Sequence, residues 1–358
     1  MTEDQGREAP LRVVVVGAGA VGSFLGGTLA ASGADVTLLA RRRQAHPDAT
    51  ALRIHEPDGE RTVPVRWAAG PDGLAAPDLV IVAVKAFDLD GALATAARWP
   101  GAAVLTAQNG VGAEAVADAW IPYPTPLLAA SVTTALEPAP DGVTRLRAGG
   151  IGVAVVRDDD TARGAALAGT LVARWTSGGL EATLVQGADA MKWSKLLANL
   201  VGNATSAILD LDPAAIYRDG RTYAIERAQL LEALAVMGAL GLEPVALPGA
   251  DVRTLLRGIR LPAVIGRPLV ARGIAGARGG KSPSLRLHVR GGGSGPTEVA
   301  WLNGAVAAAG AAEGVPTPVN AALAGLVQEV AADPDRAAWF KGEPARLVEA
   351  VASWQASS

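Results

Sequence analysis

The first half of the chain alternates short apolar runs with small-residue stretches, and the second half loses that rhythm. Leu11–Val16 (LRVVVV) is a β-branched run ending at a glycine, the pattern of a strand buried on both faces of a parallel sheet. Asp35–Ala40, Asp78–Val84, Ala102–Thr106 and Pro126–Thr134 predict four more strands. Ser23–Ser32, Asp90–Arg98 and Gly112–Trp120 read as helices between them. Arg41–Arg66, with Pro47, Pro57 and Asp58-Gly59, predicts loop and short strands. Val143–Val156 predicts antiparallel edge strands or a hairpin, Thr161–Thr176 a helix, and Leu180–Val185 one more strand. Beyond Gly187, Ala188–Leu209, Thr222–Leu240, Thr297–Ala311 and Asn320–Ala332 predict helices, with loops at Gly258–Gly280 and Arg290–Gly295. The expectation is a doubly wound parallel α/β sheet over residues 11–186, then an all-α domain over residues 187–354.

The first strand runs into Gly17-Ala18-Gly19-Ala20-Val21-Gly22, a G-x-G-x-x-G turn that opens a helix. That context predicts a Rossmann-like dinucleotide site. The first glycine makes the turn, the second lets backbone approach a pyrophosphate, and the third lets helix pack on strand. The helix N-terminus offers unsatisfied N–H groups to phosphate. After the second strand come Arg41 and Arg42, where an NAD site usually carries Asp or Glu for the ribose 2′-hydroxyl. Guanidinium groups there suit a 2′-phosphate, so NADP(H) is the expected cofactor.

Composition narrows the chemistry. With no cysteine there is no disulfide framework, thiolate metal site or cysteine nucleophile. His46, His55 and His288 lack metal-ligand spacing, so no metal is expected. Lys and Arg number 32 against 35 Asp and Glu, a net charge of −3 that gives no broad attraction for nucleic acid. The polar, acidic N-terminus is unlike a secretory signal, and Leu11–Val16 is far shorter than the ~20 residues of a membrane helix. A cytoplasmic protein without a membrane partner is expected.

Several polar residues stand in apolar surroundings. Lys85 ends the third strand and Asn109-Gly110 follows the fourth, at the sheet edge where ligands bind in this architecture. Asn-Gly is also an ordinary turn. Lys195, Asn199 and Asn203 recur every fourth residue in MKWSKLLANLVGNATSAIL and form one polar stripe on a helix otherwise apolar. Two asparagines are unusual on a solvent face, which favours a cleft. Glu298 lies in the first turn of a predicted helix, where a carboxylate also suits the helix dipole. Ser284 lies in a predicted loop.

Taken in order, GAGAVG, Arg41, VAVKAF, QNGVG, WSKLLANLVGN, PSL, TEVAWLNG and GVPTPVN resemble the ketopantoate reductase family over residues 11 to 335. The resemblance implies NADPH-dependent reduction of ketopantoate (2-dehydropantoate) to pantoate, or of a related 2-oxo acid, and hence a place in pantothenate biosynthesis. Lys195 would be the general acid and Glu298 would bond the substrate hydroxyl or Lys195. Asn199 and Asn203 would position the substrate and Ser284 would meet its carboxylate. Lys85 and Asn109 would sit beside cofactor and substrate between the domains. The assignment is chemically coherent, because hydride arriving at a ketone leaves negative charge on oxygen that an ammonium can stabilise and protonate. Three departures concern substrate choice. Pro213 stands where the family commonly has another asparagine, the segment from Ser284 to Glu298 is longer, and Ser282 competes for the serine role. They motivate a second reading, a reductase of another carbonyl or imine. A third reading is a non-catalytic NADP(H)-binding sensor. A homodimer is compatible with a helical domain of this size.

Overall fold

The computed structural model describes residues 9–40, 50–277, 282–291 and 295–357. They divide into two compact units. One comprises residues up to Gln108 together with Ala113–Ala188, and the other Asn109–Gly112 with Asp189 onward.

The first unit is built on β1 (Arg12–Val16), whose valines alternate between two faces and are buried on both. β1 pairs in parallel with β2 (Asp35–Leu39) on one side and β6 (Leu79–Val82) on the other. After β2, the chain forms the hairpin of β3 (Ala51–Glu56) and β4 (Gly59–Pro64), and then β5 (Arg66–Ala68) pairs in parallel with β2. Beyond β6 follow β7 (Ala103–Thr106) and β8 (Leu127–Val132), then β9 (Ala135–Ala139), β10 (Gly142–Arg147), β11 (Gly150–Arg157) and β12 (Glu181–Leu184). The eight-stranded sheet runs β12-β11-β8-β7-β6-β1-β2-β5, parallel except where β11 meets β8. Over Val143–Val156 the expected antiparallel pairing is found, β10 with β9 and β11 with β8, but both strands lie inside their sheets and they do not form a hairpin with each other. β10 joins a four-stranded sheet of order β4-β3-β10-β9, while β11 joins the main sheet. One face of the main sheet is covered by α1 (Ala20–Ala31) and α4 (Arg163–Ser177), through Phe24, Leu25, Leu29, Leu171 and Trp175. The other is covered by α2 (Leu89–Ala96) and α3 (Ala113–Trp120), through Leu89, Leu93 and Ala117. This is the doubly wound arrangement expected from the alternating runs.

The second unit is helical, also as expected. It contains α5 (Ala188–Leu200), α6 (Ala204–Leu209), α7 (Pro213–Arg218), α8 (Gly220–Ala239), α9 (Val252–Arg260), α10 (Ala263–Ala277) and α11 (Ser284–Arg290). A short 3-10 turn, Glu298–Trp301, precedes α12 (Asn303–Glu313), α13 (Pro318–Ala332), α14 (Pro334–Phe340) and α15 (Pro344–Ser357). Three expectations change. The predicted loop Gly258–Gly280 is largely α9 and α10. Gly258 and Gly266 let these helices touch, since a side chain on Gly266 would stand 2.3 Å from the Gly258 carbonyl oxygen. The single helix predicted over Thr297–Ala311 divides at Leu302, the last residue before α12. The helix predicted over Ala188–Leu209 is broken at Val201–Asn203.

That break is held by α8. Glu226 is fully buried and its carboxylate accepts from Gly202 N–H (2.8 Å), Thr205 Oγ1 (2.6 Å) and Tyr217 Oη (2.6 Å). One turn along, Gln229 donates to the Leu200 carbonyl and accepts from Asn303 Nδ2 (2.8 Å). Asn303 also donates to Asn320 Oδ1 (2.9 Å). Next, Glu232 accepts the Val319 and Asn320 N–H groups, both at 2.9 Å, at the start of α13. Burial pushes the Glu232 pKa up, and those N–H groups pull against it. A buried polar seam on one helix therefore ties the end of α5 to α12 and α13. Replacing Glu226 with leucine strands three buried donors, and the expected loss is about 3–5 kcal/mol of stability, read by urea unfolding.

Candidate active site

In the first unit, β1 ends at a turn in which Gly17 has φ +102°. A side chain on Gly17 would lie 2.7 Å from the backbone nitrogen of Val84, and one on Gly22 would lie 2.1 Å from the Gly17 carbonyl oxygen. Both positions require glycine for steric reasons. Gly19 differs, because a side chain there would meet no atom within 4 Å. Its backbone is open to a ligand. Gly19 also caps α1 without a side-chain hydrogen bond, so Ala20, Val21 and Gly22 begin the helix with no side chain answering the end. The turn lies where the sheet order reverses between β1 and β6, the crevice that takes nucleotides in such sheets. These features fit a dinucleotide pyrophosphate, with Gly17, Ala18, Gly19, Ala20, Val21 and Gly22 as its cradle.

Lys85 lies three residues beyond β6, exposed, at the start of a 3-10 turn. Arg41 and Arg42 lie outside the described residues. Sequence reasoning missed Gln108, whose buried amide donates to the carbonyls of Val82 (2.9 Å) and Val84 (3.1 Å). It ties down the backbone leading to Lys85. Its neighbour Asn109 drew the attention because Asn-Gly is the stronger local signal.

In the second unit, Asn109 and Asn199 meet: Asn199 Nδ2 donates to Asn109 Oδ1 at 3.3 Å. Asn199 is one turn past Lys195 on α5, and both are partly buried. The Asn109 loop is seated on the 3-10 turn of Glu298, with Val111 N–H donating to the Trp301 carbonyl at 3.3 Å. Gly110 makes this possible. Its φ is +85°, and any side chain would stand 2.1 Å from the Trp301 oxygen. Glu298 itself is buried. Lys192, which sequence reasoning passed over, is 2 % exposed. It precedes Lys195 by three residues and Asn199 by seven, so all three share one face of α5. That spacing was the available signal.

Asn203 departs from the predicted stripe. At the end of the helix break its side-chain oxygen accepts the Leu285 N–H at 3.1 Å, and so anchors the first turn of α11. Ser284, expected in a loop, is the exposed first residue of that helix. Ser282 is partly buried two residues earlier. α11 is held further by Arg286 on Asp210 (3.0 Å) and by Arg290 on the Ala207 carbonyl (2.9 Å). Burial pushes the Arg290 pKa down. Pro213, the first residue of α7, packs near Gly202. Among the described residues no group of His, Asp and Glu could hold a metal ion.

Gly110→Ala forces the Asn109 loop off Trp301 or strains its backbone. The expected cost is about 1–3 kcal/mol, measured by chemical denaturation.

Comparison with known proteins supplies the family. Residues 13–155 match the model of ketopantoate reductase PanE/ApbA, and residues 188–331 match that of its C-terminal domain. The chain is 30 % identical over 322 residues to a 2-dehydropantoate 2-reductase of Halobacterium salinarum, covering 89 % of this chain and 98 % of that one. It superposes with a TM-score of 0.72 on the crystal structure of a PanE/ApbA family ketopantoate reductase from Ralstonia eutropha, at 28 % identity, covering 89 % of this chain and 98 % of that one. The 2-dehydropantoate 2-reductase from Geobacter metallireducens gives the same TM-score of 0.72 at 26 % identity, covering 89 % and 99 %. The glycine turn, the α5 polar face and the segment at Glu298 all fall inside the matched regions, and the chain belongs to the ketopantoate reductase family of oxidoreductases.

Proposed function

We propose that the protein reduces ketopantoate, or a closely related 2-oxo acid, to the 2-hydroxy acid with NADPH. The observation that carries this reading is the pairing of Asn109 with Asn199 one turn beyond Lys195. It joins two amides one helical turn from Lys195, a set suited to a polar substrate with a developing oxyanion.

The glycine turn and the open end of α1 would hold the pyrophosphate, and Arg41 and Arg42 the 2′-phosphate. When bound, the reduced nicotinamide supplies hydride. Lys195 would stabilise the negative charge that develops on the carbonyl oxygen and deliver a proton to it from Nζ. Asn199 would orient the substrate through its amide and Asn109 would set the direction of that amide. Glu298 would orient the substrate hydroxyl or Lys195. Ser284 would donate to the substrate carboxylate. Asn203 would act through α11, by holding Ser284 in place. Lys85 would lie at the cofactor. The longer segment between Ser284 and Glu298 supports a second reading, reduction of a different carbonyl or imine by the same groups.

The test is NADPH oxidation with ketopantoate and a panel of 2-oxo acids, with NADH as control. Turnover of ketopantoate supports the first reading. NADPH binding with turnover only of another substrate supports the second, and absence of any turnover overturns both. Lys195→Ala is expected to lower kcat by about 10²–10⁴-fold with NADPH affinity unchanged, followed by fluorescence titration. Arg41→Ala is expected to weaken NADPH about tenfold or more and leave NADH nearly untouched, since only the former carries the 2′-phosphate.

A further inference from the structure

Helix α10 is apolar on both sides. Gly266, Val270 and Ile274 are buried against the rest of the helical unit. On the opposite side, Val264 is 84 % exposed, Ile265 52 % and Leu269 54 %, with Leu261 just before the helix at 37 %. Their spacing, with exposed Pro268 between them, places them on one stripe at helical period. Scattered apolar residues on a surface need no explanation, but a continuous stripe on one helix marks a contact.

The charges around the stripe indicate its partner. From Val252 to Thr297 the sequence contains no Asp or Glu, although the whole chain is net negative. Arg257 and Arg260 stand exposed on the last turn of α9, and Arg272 continues the stripe toward the end of α10. Asp251 answers Arg253 at 2.9 Å and feels the charge of Arg257. Arg260 and Arg272 have no carboxylate partner among the described residues. A second copy packed two-fold on this stripe would set Arg272 of each chain against Arg260 of the other, like charge on like. The stripe is also a ridge, as the exposure of Val264 requires, and not a groove that would receive a helix.

We propose that the α9–α10 ridge docks on an anionic phospholipid surface, with Leu261, Val264, Ile265 and Leu269 entering the acyl boundary and Arg257, Arg260 and Arg272 meeting the headgroups. Lys- or Arg-flanked apolar helices lie in the membrane interface in this manner. Pro268 suits that depth. It removes a helix hydrogen bond, and the freed carbonyl of Val264 finds a partner in interfacial water. No described helix is long and apolar enough to cross a membrane, and none is needed. This inference is independent of the reductase reading.

The test is sedimentation of the full-length protein with vesicles of phosphatidylglycerol and phosphatidylcholine against vesicles of phosphatidylcholine alone. Retention on the anionic vesicles, lost as salt is raised, is expected. Arg260→Gln with Arg272→Gln should weaken binding by about fivefold for each arginine removed. Val264→Glu with Ile265→Glu should weaken it by about tenfold or more for each residue. Both pairs are exposed, and circular dichroism checks that they fold; if either misfolds, the lipid and salt dependence of the unmodified chain still decides. No retention on anionic vesicles, or equal retention after Val264→Glu with Ile265→Glu, overturns the proposal. A dimer in sedimentation velocity that dissolves with that substitution also overturns it and assigns the ridge to a second copy.

Discussion

The carboxylate of Glu226 is the constraint on which the helical unit depends. It sits fully buried, and a buried polar group is tolerated only while its hydrogen bonds are made. The donors come from Gly202 within the α5–α6 break, from Thr205 on α6 and from Tyr217 on α7. The polar seam of α8 continues through Gln229 and Glu232 to Asn303 and Asn320. Because a hydrogen-bonded network in a low-dielectric interior is costly to break in part, it ties these elements to one another. The consequence reaches the surface of the site. The position where α5 stops sets where Asn199 meets Asn109, and the restart at α6 turns Asn203 toward Leu285 and thereby places Ser284.

The α/β unit solves its problem with backbone instead of side chains. Gly17 and Gly22 exist to let chain approach chain, and Gly19 leaves open the space a phosphate needs. Gln108 then uses a side-chain amide to fix the carbonyls of Val82 and Val84 at the end of β6. Phosphate recognition by backbone N–H groups requires little from side-chain identity. Discrimination among 2-oxo acids requires a great deal. The glycine turn keeps the full G-x-G-x-x-G motif.

Charge in this protein is segregated, and its average conceals the fact. A net charge of −3 gives no broad attraction for polyanions, yet the acid-free stretch through α9, α10 and α11 is strongly basic. In α11 the arginines are spent inward, Arg286 on Asp210 and Arg290 on the carbonyls that end α6. In α9 and α10 they stand outward beside an apolar ridge. The same residue type thus serves folding on one helix and an outer surface on the next, and burial is what separates the two uses.

The sequence by itself determined the class of each half and the backbone path of the glycine turn. A run such as RVVVV has one stable destination, a strand covered on both faces, and a glycine turn between strand and helix has one stable backbone path. Both are local, and local rules reach across a few residues. The Lys195–Asn199 pairing on one helical turn was legible for the same reason, and Lys192 was legible too once the spacing of three and seven is applied. Tertiary structure decided the rest. Gly202-Asn203 offers a local stop, with Gly202 at φ +59°, and Glu226, more than twenty residues away in the chain, accepts the Gly202 N–H and makes the break stable. The glycine- and proline-rich stretch became α9 and α10 because close packing between Gly258 and Gly266 outweighs weak helix propensity. Asn203 left the stripe because Leu285 N–H needed an acceptor in the interior. Each of these outcomes depends on a partner supplied from elsewhere in the chain, and only the folded structure brings such partners together.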